Sequence, residues 1–254
     1  MSRANGTVFL TVRTNSTRLP EKCFLPFGET NVLGHVIRRA RFAGFEPIVC
    51  TSKNKSDDKI DVFCKELGVS IYRGPLDNKI LRWYECARSF KVEIFHTIDV
   101  DDPFFDSKLI IQSMELLINE NLDVVYPTEL SSNGSASVGY SIRFSALEKE
   151  IKYIESIKEV EMVDSVFDQL KSLKRKILTT NLLDFPNIRL TLDYPEDYWL
   201  LLFVLRELGP NCSRENLATL FSRNPDLFKF NWYRNKEWTA KQNYLRSEFE
   251  KQNV

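Results

Sequence analysis

Val8-Phe9-Leu10-Thr11-Val12, followed at once by Arg13-Thr14-Asn15-Ser16-Thr17-Arg18-Leu19-Pro20-Glu21-Lys22, is the stretch whose reading sets the fold. The first five residues are a short, apolar, β-branched run, the pattern of a buried strand. The next ten are polar, carry three cations, and lead toward apolar residues at helical spacing: Val32, Leu33, Val36, Ile37 and Ala40. Strand, long polar loop and helix open an α/β sheet, and ligands of open α/β sheets bind beyond the carboxyl ends of the strands. Arginine grips phosphate oxygens as a planar fork and lysine adds a point charge, so this loop suits a triphosphate. Alone, it would read better as a solvated surface loop.

The pattern continues downstream. Pro47-Ile48-Val49-Cys50-Thr51 predicts a second strand, and Ser56 a cap for a helix with stripe Ile60, Phe63, Cys64 and Leu67, closed by Gly68. Val69-Ser70-Ile71-Tyr72 predicts a third strand, and Ile80, Trp83, Tyr84 and Ala87 a third helix. A fourth strand falls at Glu93 to Ile98, a helix through Ile110, Met114 and Leu117, and another strand at Val124-Val125-Tyr126. Strands alternating with helices imply right-handed βαβ units and a mainly parallel sheet, hence a Rossmann-like three-layer α/β/α fold.

Ser131 to Ser137 is a small, polar loop, followed by a strand-like run from Val138 to Phe144 and two helical stretches between Ala146 and Leu173. This predicts an inserted hairpin and helical lid over residues 130–180. The sheet is expected to resume at Ile188-Arg189-Leu190-Thr191-Leu192. Pro195, Glu196 and Asp197 then suit a first helical turn, with Tyr198, Leu201, Leu202, Leu205 and Leu208 as the buried stripe. One α/β domain over residues 1–209 and a helical C-terminal appendage over 210–254 follow.

Composition narrows the function. The 35 basic and 35 acidic residues cancel, so no positive field recommends a nucleic acid. A hydrophobic content of 43% excludes wholesale disorder. The longest apolar runs fall far short of a membrane span, and the N-terminus shows no signal-peptide core. Cys23, Cys50, Cys64, Cys86 and Cys212 form no CxxC pair, which suits reduced thiols in a cytoplasm. With only His35 and His96, neither a histidine-rich zinc site nor histidine-base chemistry is expected.

Asp99-Val100-Asp101-Asp102-Pro103 ends the predicted fourth strand on the same sheet edge as the basic loop. Closely spaced carboxylates there suit Mg²⁺, which takes a few protein oxygens and shares the rest with phosphate and water. The plain alternative is an Asx-rich turn before a helix capped by Ser107. Asp193 ends the last predicted strand, so Asp101 and Asp193 could bracket one metal ion.

Arg13-x-x-Ser16-Thr17-Arg18-Leu19-Pro20-x-Lys22 resembles the signature loop of the cytidylyltransferases that make CMP-activated acidic sugars. Thr51-Ser52 with Asp57-Asp58-x-Ile60, then Tyr72-Arg73-Gly74, resemble later segments of that family in order. Asp101-x-Pro103 and Arg189-Leu190-Thr191-Leu192-Asp193-x-Pro195-Glu196-Asp197 resemble its metal-binding segments. Asn224-Pro225-Asp226-Leu227 and Asn231 are similar to the branch named for spore-coat polysaccharide synthesis. The resemblance implies the nucleotide-diphospho-sugar transferase fold and transfer of CMP from CTP to a 3-deoxy-2-keto sugar acid, with pyrophosphate released. It implies that Arg18 and Lys22 hold the β- and γ-phosphates, with Arg13 and Ser16 at the nucleotide. Thr51, Ser52, Arg73 and Gly74 would line the cytidine pocket, and Asp101 and Asp193 would ligate Mg²⁺. It further implies a homodimer.

Some positions depart from the family pattern. Glu21 replaces a glycine common in the signature loop and would bring a negative charge near the phosphates. Asp99 would be a further metal ligand or a sugar contact, Tyr140 stands where a carboxylate is expected, and Glu161 either reaches the sugar or, the reading its helical setting favours, is a surface charge. Two rivals remain on sequence: a metal-dependent glycosyltransferase, because Asp99-Val100-Asp101 is also a DxD motif, and a nucleotide-binding module without catalysis.

Overall fold

In the computed structural model, which describes residues 6–128, 138–160, 162–179 and 188–252, β1 (Thr7–Thr11) lies inside the sheet, parallel to a neighbour on each side. Its side chains alternate between two cores. Val8 and Leu10 pack in one and Phe9 in the other, where its ring stacks on Phe95 at 4.1 Å. All three are fully buried, as expected of a strand covered on both faces.

After β1 come the small ribbon β2 (Pro26–Phe27) and β3 (Thr30–Asn31), then α1 (Val32–Phe42), β4 (Glu46–Ser52), α2 (Asp58–Glu66) and β5 (Ser70–Gly74). The chain continues through α3 (Lys79–Phe90), β6 (Ile94–Asp99), α4 (Ser107–Asn119), β7 (Val124–Tyr126) and β8 (Ser141–Arg143). Three short helices, α5 (Phe144–Lys149), α6 (Ile151–Ser156) and α7 (Val163–Gln169), lead to β9 (Arg175–Ile177), and α8 (Pro195–Leu208), α9 (Arg214–Arg223) and α10 (Arg234–Gln252) close the chain. Among the described residues the main sheet has seven strands in the order β5-β4-β1-β6-β8-β7-β9. Only β8 runs against its neighbours.

β8 fits because its approach is tight. Gly139 has φ +63°, and a Cβ there would sit 1.8 Å from the Thr97 carbonyl oxygen. That close approach lets the Thr97 N–H reach the Tyr140 carbonyl at 2.8 Å and the Tyr140 N–H reach Thr97 Oγ1 at 2.9 Å. The residue-130–180 segment therefore contributes two strands to the sheet, while α5 to α7 join α3 over the core built on Phe9, Ile48 and Phe95.

Several local expectations need correction. Ile188–Leu192 is not a strand of the sheet: the Leu192 N–H donates to the Asp101 carbonyl at 2.7 Å, and its own carbonyl accepts from Lys22 Nζ at 2.7 Å. With those groups already partnered, no ladder forms. Asp106, rather than Ser107, caps α4 by accepting from the N–H groups of Lys108 and Leu109. Ser56 lies in a 3-10 turn over Lys55–Asp57 that Asn54 caps. The two helical stretches of the insertion are three helices, and α8 fully buries Leu200, Leu201 and Val204, while Tyr198, Leu202, Leu205 and Leu208 of the expected stripe pack half-buried against the same core.

Candidate active site

A cleft of about 680 Å³ opens where β1 and β6 end side by side, Thr11 being paired with Asp99. Its floor is set by the polar loop after β1. Thr14 gives its N–H and its hydroxyl to Asp57 at 2.8 and 2.7 Å, fixing the loop's start to the β4–α2 connection. Asp57 also accepts from Ser52, and these hydrogen bonds hold its pKa below the usual carboxylate range although burial pushes the other way. At the far end Glu21 adopts a left-handed backbone conformation, φ 55° and ψ 25°, which glycine takes without steric cost. Its carboxylate pairs with Lys59 on α2 and does not line the cleft, so the negative charge expected near the phosphates points elsewhere.

This bend brings Lys22 under the carboxylates. Its Nζ lies 2.6 Å from Asp101 Oδ2 and 3.0 Å from Asp193 Oδ1, and Arg18 Nη2 reaches the same Asp193 oxygen at 2.5 Å. Burial alone would lower the Lys22 pKa, but Asp101 and Asp193 outweigh it and the net shift is upward. Asp193 is held well below the usual carboxylate range: its burial is overcome by Lys22 and Arg18. Asp101 shifts upward instead, through removal from water and the nearby charges of Asp193 and Asp99, which Lys22 offsets only in part.

Asp193 is itself braced from behind. The fully buried Arg189 donates to Asp193 Oδ2 at 3.3 Å and to both oxygens of Asp197, at 2.9 and 3.2 Å. Asp197 in turn accepts the N–H groups of Asp193 and Tyr194, each at 2.9 Å. Asn231 donates to the Arg189 carbonyl and to Asp197, both at 2.9 Å.

Asp101 and Asp193 thus turn one oxygen each toward a single cation. That donor set suits Mg²⁺, which needs only one or two carboxylates beside phosphate and water oxygens. Among the described residues no cluster of three or more acidic, cysteine or histidine side chains has the form of a protein-only metal cage. Asp99 pairs with Lys79 at 2.8 Å, apart from the lysine shared by Asp101 and Asp193. His35 and His96 lie off the cleft, and burial pushes both down to about 4, so they are neutral near pH 7.

Arg13, Ser16, Arg18, Lys22, Asp99, Asp101, Tyr140 and Asp193 all line the cleft, as the sequence reading expected. Thr51, Ser52, Arg73 and Gly74 do not. Thr51 and Ser52 are fully buried in β4, and Arg73 is engaged with the Ser52 and Asn54 carbonyls and with Asp58. The Ser52 hydroxyl and the Arg73 guanidinium are committed to holding the loop between β4 and α2. Glu161 lies outside the described residues. The Tyr140 ring packs against Tyr126 and Phe167, at 5.6 and 5.8 Å between centroids, so it forms an apolar wall where a carboxylate was expected.

Sequence reasoning passed over Lys79 of α3, and placed Arg82 in a segment resembling the family without giving it a role. Lys79 sits over the Trp83 ring, and Arg82, 1% exposed, donates to the carbonyls of Pro75 and Leu76. Its Nε has no hydrogen-bond partner among the described residues. Both cations lie in the first turns of a helix whose apolar stripe drew attention instead. The α10 contribution, from Trp238 to Arg246, was also missed, because that helix has no apolar periodicity to mark a packed face.

Comparison with known proteins agrees with this geometry. The chain is 25% identical over 226 residues to the spore coat polysaccharide biosynthesis protein SpsF of Bacillus subtilis (strain 168), covering 84% of this chain and 92% of that protein. The structure of a cytidylyltransferase from Leptospira borgpetersenii is similar with a TM-score of 0.74 and 24% identity, over 89% of this chain and 97% of that one. CMP:2-keto-3-deoxy-manno-octonic acid synthetase, solved in complex with CTP, has a TM-score of 0.60 and 14% identity, over 80% and 98%. These two likenesses establish the nucleotidyltransferase fold. The family model described as Cytidylyltransferase matches residues 7–223, and the chain belongs to that family of nucleotidyltransferases.

Proposed function

We propose that this protein transfers CMP from CTP to an acidic 3-deoxy-2-keto sugar and releases pyrophosphate, in the service of surface polysaccharide synthesis. The observation that carries the reading is the meeting of Arg18 and Lys22 with Asp101 and Asp193 at one end of the cleft. A sugar hydroxyl attacks the α-phosphorus in line, the bond to the bridging oxygen breaks, and pyrophosphate leaves. Such a reaction depends mainly on positioning and charge neutralisation.

Arg18 and Lys22 are held near the entering triphosphate by the very carboxylates from which phosphate oxygens would draw them. Once the two cations turn to phosphate, the freed oxygens of Asp101 and Asp193 face a common point. Asp101 and Asp193 would hold Mg²⁺, which would supply Lewis-acid polarisation of the α-phosphate and a lowered pKa of the attacking hydroxyl, so that no histidine base would be needed. Arg82, whose Nε has no hydrogen-bond partner among the described residues, adds positive charge to the cleft wall. A cytoplasmic homodimer belongs to the same reading.

The test is a matrix of nucleoside triphosphates against acidic sugars with Mg²⁺, read as pyrophosphate release. Turnover with CTP and a sugar acid is expected. Binding of CTP without turnover against any sugar would instead favour a non-catalytic module, and turnover only with a preformed nucleotide sugar would favour a glycosyltransferase.

A further inference from the structure

Helix α10 lies outside the part of the chain that the family model covers, which ends at residue 223. Even so, Trp238, Lys241, Gln242, Leu245 and Arg246 line the cleft. Their spacing of three and four residues puts them along one side of a single helix. The helix is tied at both ends: Arg234 pairs with Glu196 at 2.8 Å, Asn235 accepts from Arg189 at 2.8 Å, and Arg246 pairs with Asp164 on α7 at 2.7 Å. Phe249 is buried in the core beneath α7. One end of α10 is therefore fixed to the residue bracing Asp193, and the other to the segment that carries Tyr140 and α7.

The charges along that side have one sign. No carboxylate of α10 lines the cleft. Arg246 is neutralised by Asp164, whereas Lys241 is exposed and has no ion-pair partner among the described residues. An exposed ammonium lining the cleft, beside the half-buried ring of Trp238, suits an anionic ligand with an apolar face.

We propose that α10 forms the acceptor-binding wall, with Lys241 receiving the acceptor's carboxylate and Trp238 packing against its ring; this rests on the cytidylyltransferase reading of the cleft. Acceptor choice is then set by a segment beyond the shared family region.

The test compares the wild-type protein with Lys241→Gln and Lys241→Arg, using Lys236→Gln as an exposed control on the same helix that does not line the cleft. Two readouts are taken: KM values for CTP and for the acidic sugar from pyrophosphate release, and calorimetric binding of the sugar acid with Mg²⁺ and a CTP analogue blocked at the α–β bridge. Lys241→Gln is expected to weaken acceptor KM and binding by about tenfold or more, the scale of losing a hydrogen bond to a charged group. Lys241→Arg restores most of that, while CTP KM and the control stay unchanged.

An unchanged acceptor KM overturns the assignment, and so does a CTP KM that rises in step, which would place Lys241 on the triphosphate. Sugar-acid binding that depends on Lys241 without any turnover supports the α10 site and removes the catalytic reading. Failure of the wild type to bind or turn over any sugar acid overturns both.

Discussion

Asp57 accepts two hydrogen bonds from Thr14, 2.8 Å from its N–H and 2.7 Å from its hydroxyl, so a carboxylate from the β4–α2 connection anchors the loop that carries Arg18 and Lys22. The folded carboxyl has its pKa lowered because these bonds and the one from Ser52 overcome the effect of burial. A group depressed on folding contributes stability above its unfolded pKa, about 4 for aspartate, and loses that contribution as pH falls through the folded value. Asp57→Asn should therefore flatten the fall in stability below about pH 4, measured by urea unfolding across that range. At pH 7, Asp57→Ala should cost about 1–3 kcal/mol and raise CTP KM, because the loop loses its anchor. A variant with wild-type stability and KM would show that the anchor is dispensable.

Lys22 is shared between Asp101 and Asp193 and is the cation best placed to move from carboxylate to phosphate. Lys22→Ala and Asp101→Ala should each lower turnover by ~10²-fold or more, the scale of losing one electrostatic contact to a transition state. Chelation of Mg²⁺ should abolish turnover and its return should restore it. Steady-state pyrophosphate assays with CTP decide the matter: near-normal rates in both variants would remove these residues from the chemistry.

What the sequence made legible follows from how local each signal is. β1, β4 and β6 were readable because buried parallel strands are short apolar runs, and α1 and α3 because their stripes repeat at helical spacing. The convergence of Arg18, Lys22 and Asp101 was readable because β1 and β6 end on one sheet edge, whereas Asp193 reaches the same place without a strand, through the bonds of Leu192 to Asp101 and Lys22. Ile188–Leu192 was not: it has a strand's composition, yet Asp101 and Lys22 take up the backbone groups of Leu192. The structural commitment of Arg73 was equally hidden, since besides Asp58 its partners are the backbone carbonyls of Ser52 and Asn54, which no side-chain pattern announces. α10 escaped because polar anchors hold it, and ion pairs such as Arg246 with Asp164 leave no periodic trace.

Arg189 and Asp197 form an ion pair with both side chains fully buried, and Arg189 also braces Asp193. Removing one partner of such a pair leaves an uncompensated buried charge. Arg189→Met should therefore destabilise by about 3–5 kcal/mol, with the carboxylates of Asp193 and Asp197 left facing each other. Double substitution with Asp197→Leu should recover a substantial part of that loss, because the pair is then replaced by apolar volume. Chemical denaturation of the wild type and the two variants measures this directly, and a mild single-variant loss would show that water has access to the pair.

Gly139 joins fold to site, since its φ of +63° and its contact with the Thr97 carbonyl allow Tyr140 to enter beside β6. An alanine methyl at this position would meet backbone, not a flexible side-chain tip, and β6 is held in the middle of the sheet, so the overlap has no easy relief. The left-handed conformation adds a penalty of its own for any residue with a Cβ. Gly139→Ala should thus destabilise by more than about 2 kcal/mol. It should also disturb the Tyr140 wall, so acceptor KM should rise further than CTP KM. Thermal unfolding with the two KM values separates the effects: a fully stable variant would show that β8 can reach β6 by another path, and a stable fold with only acceptor KM raised would place the whole consequence at Tyr140.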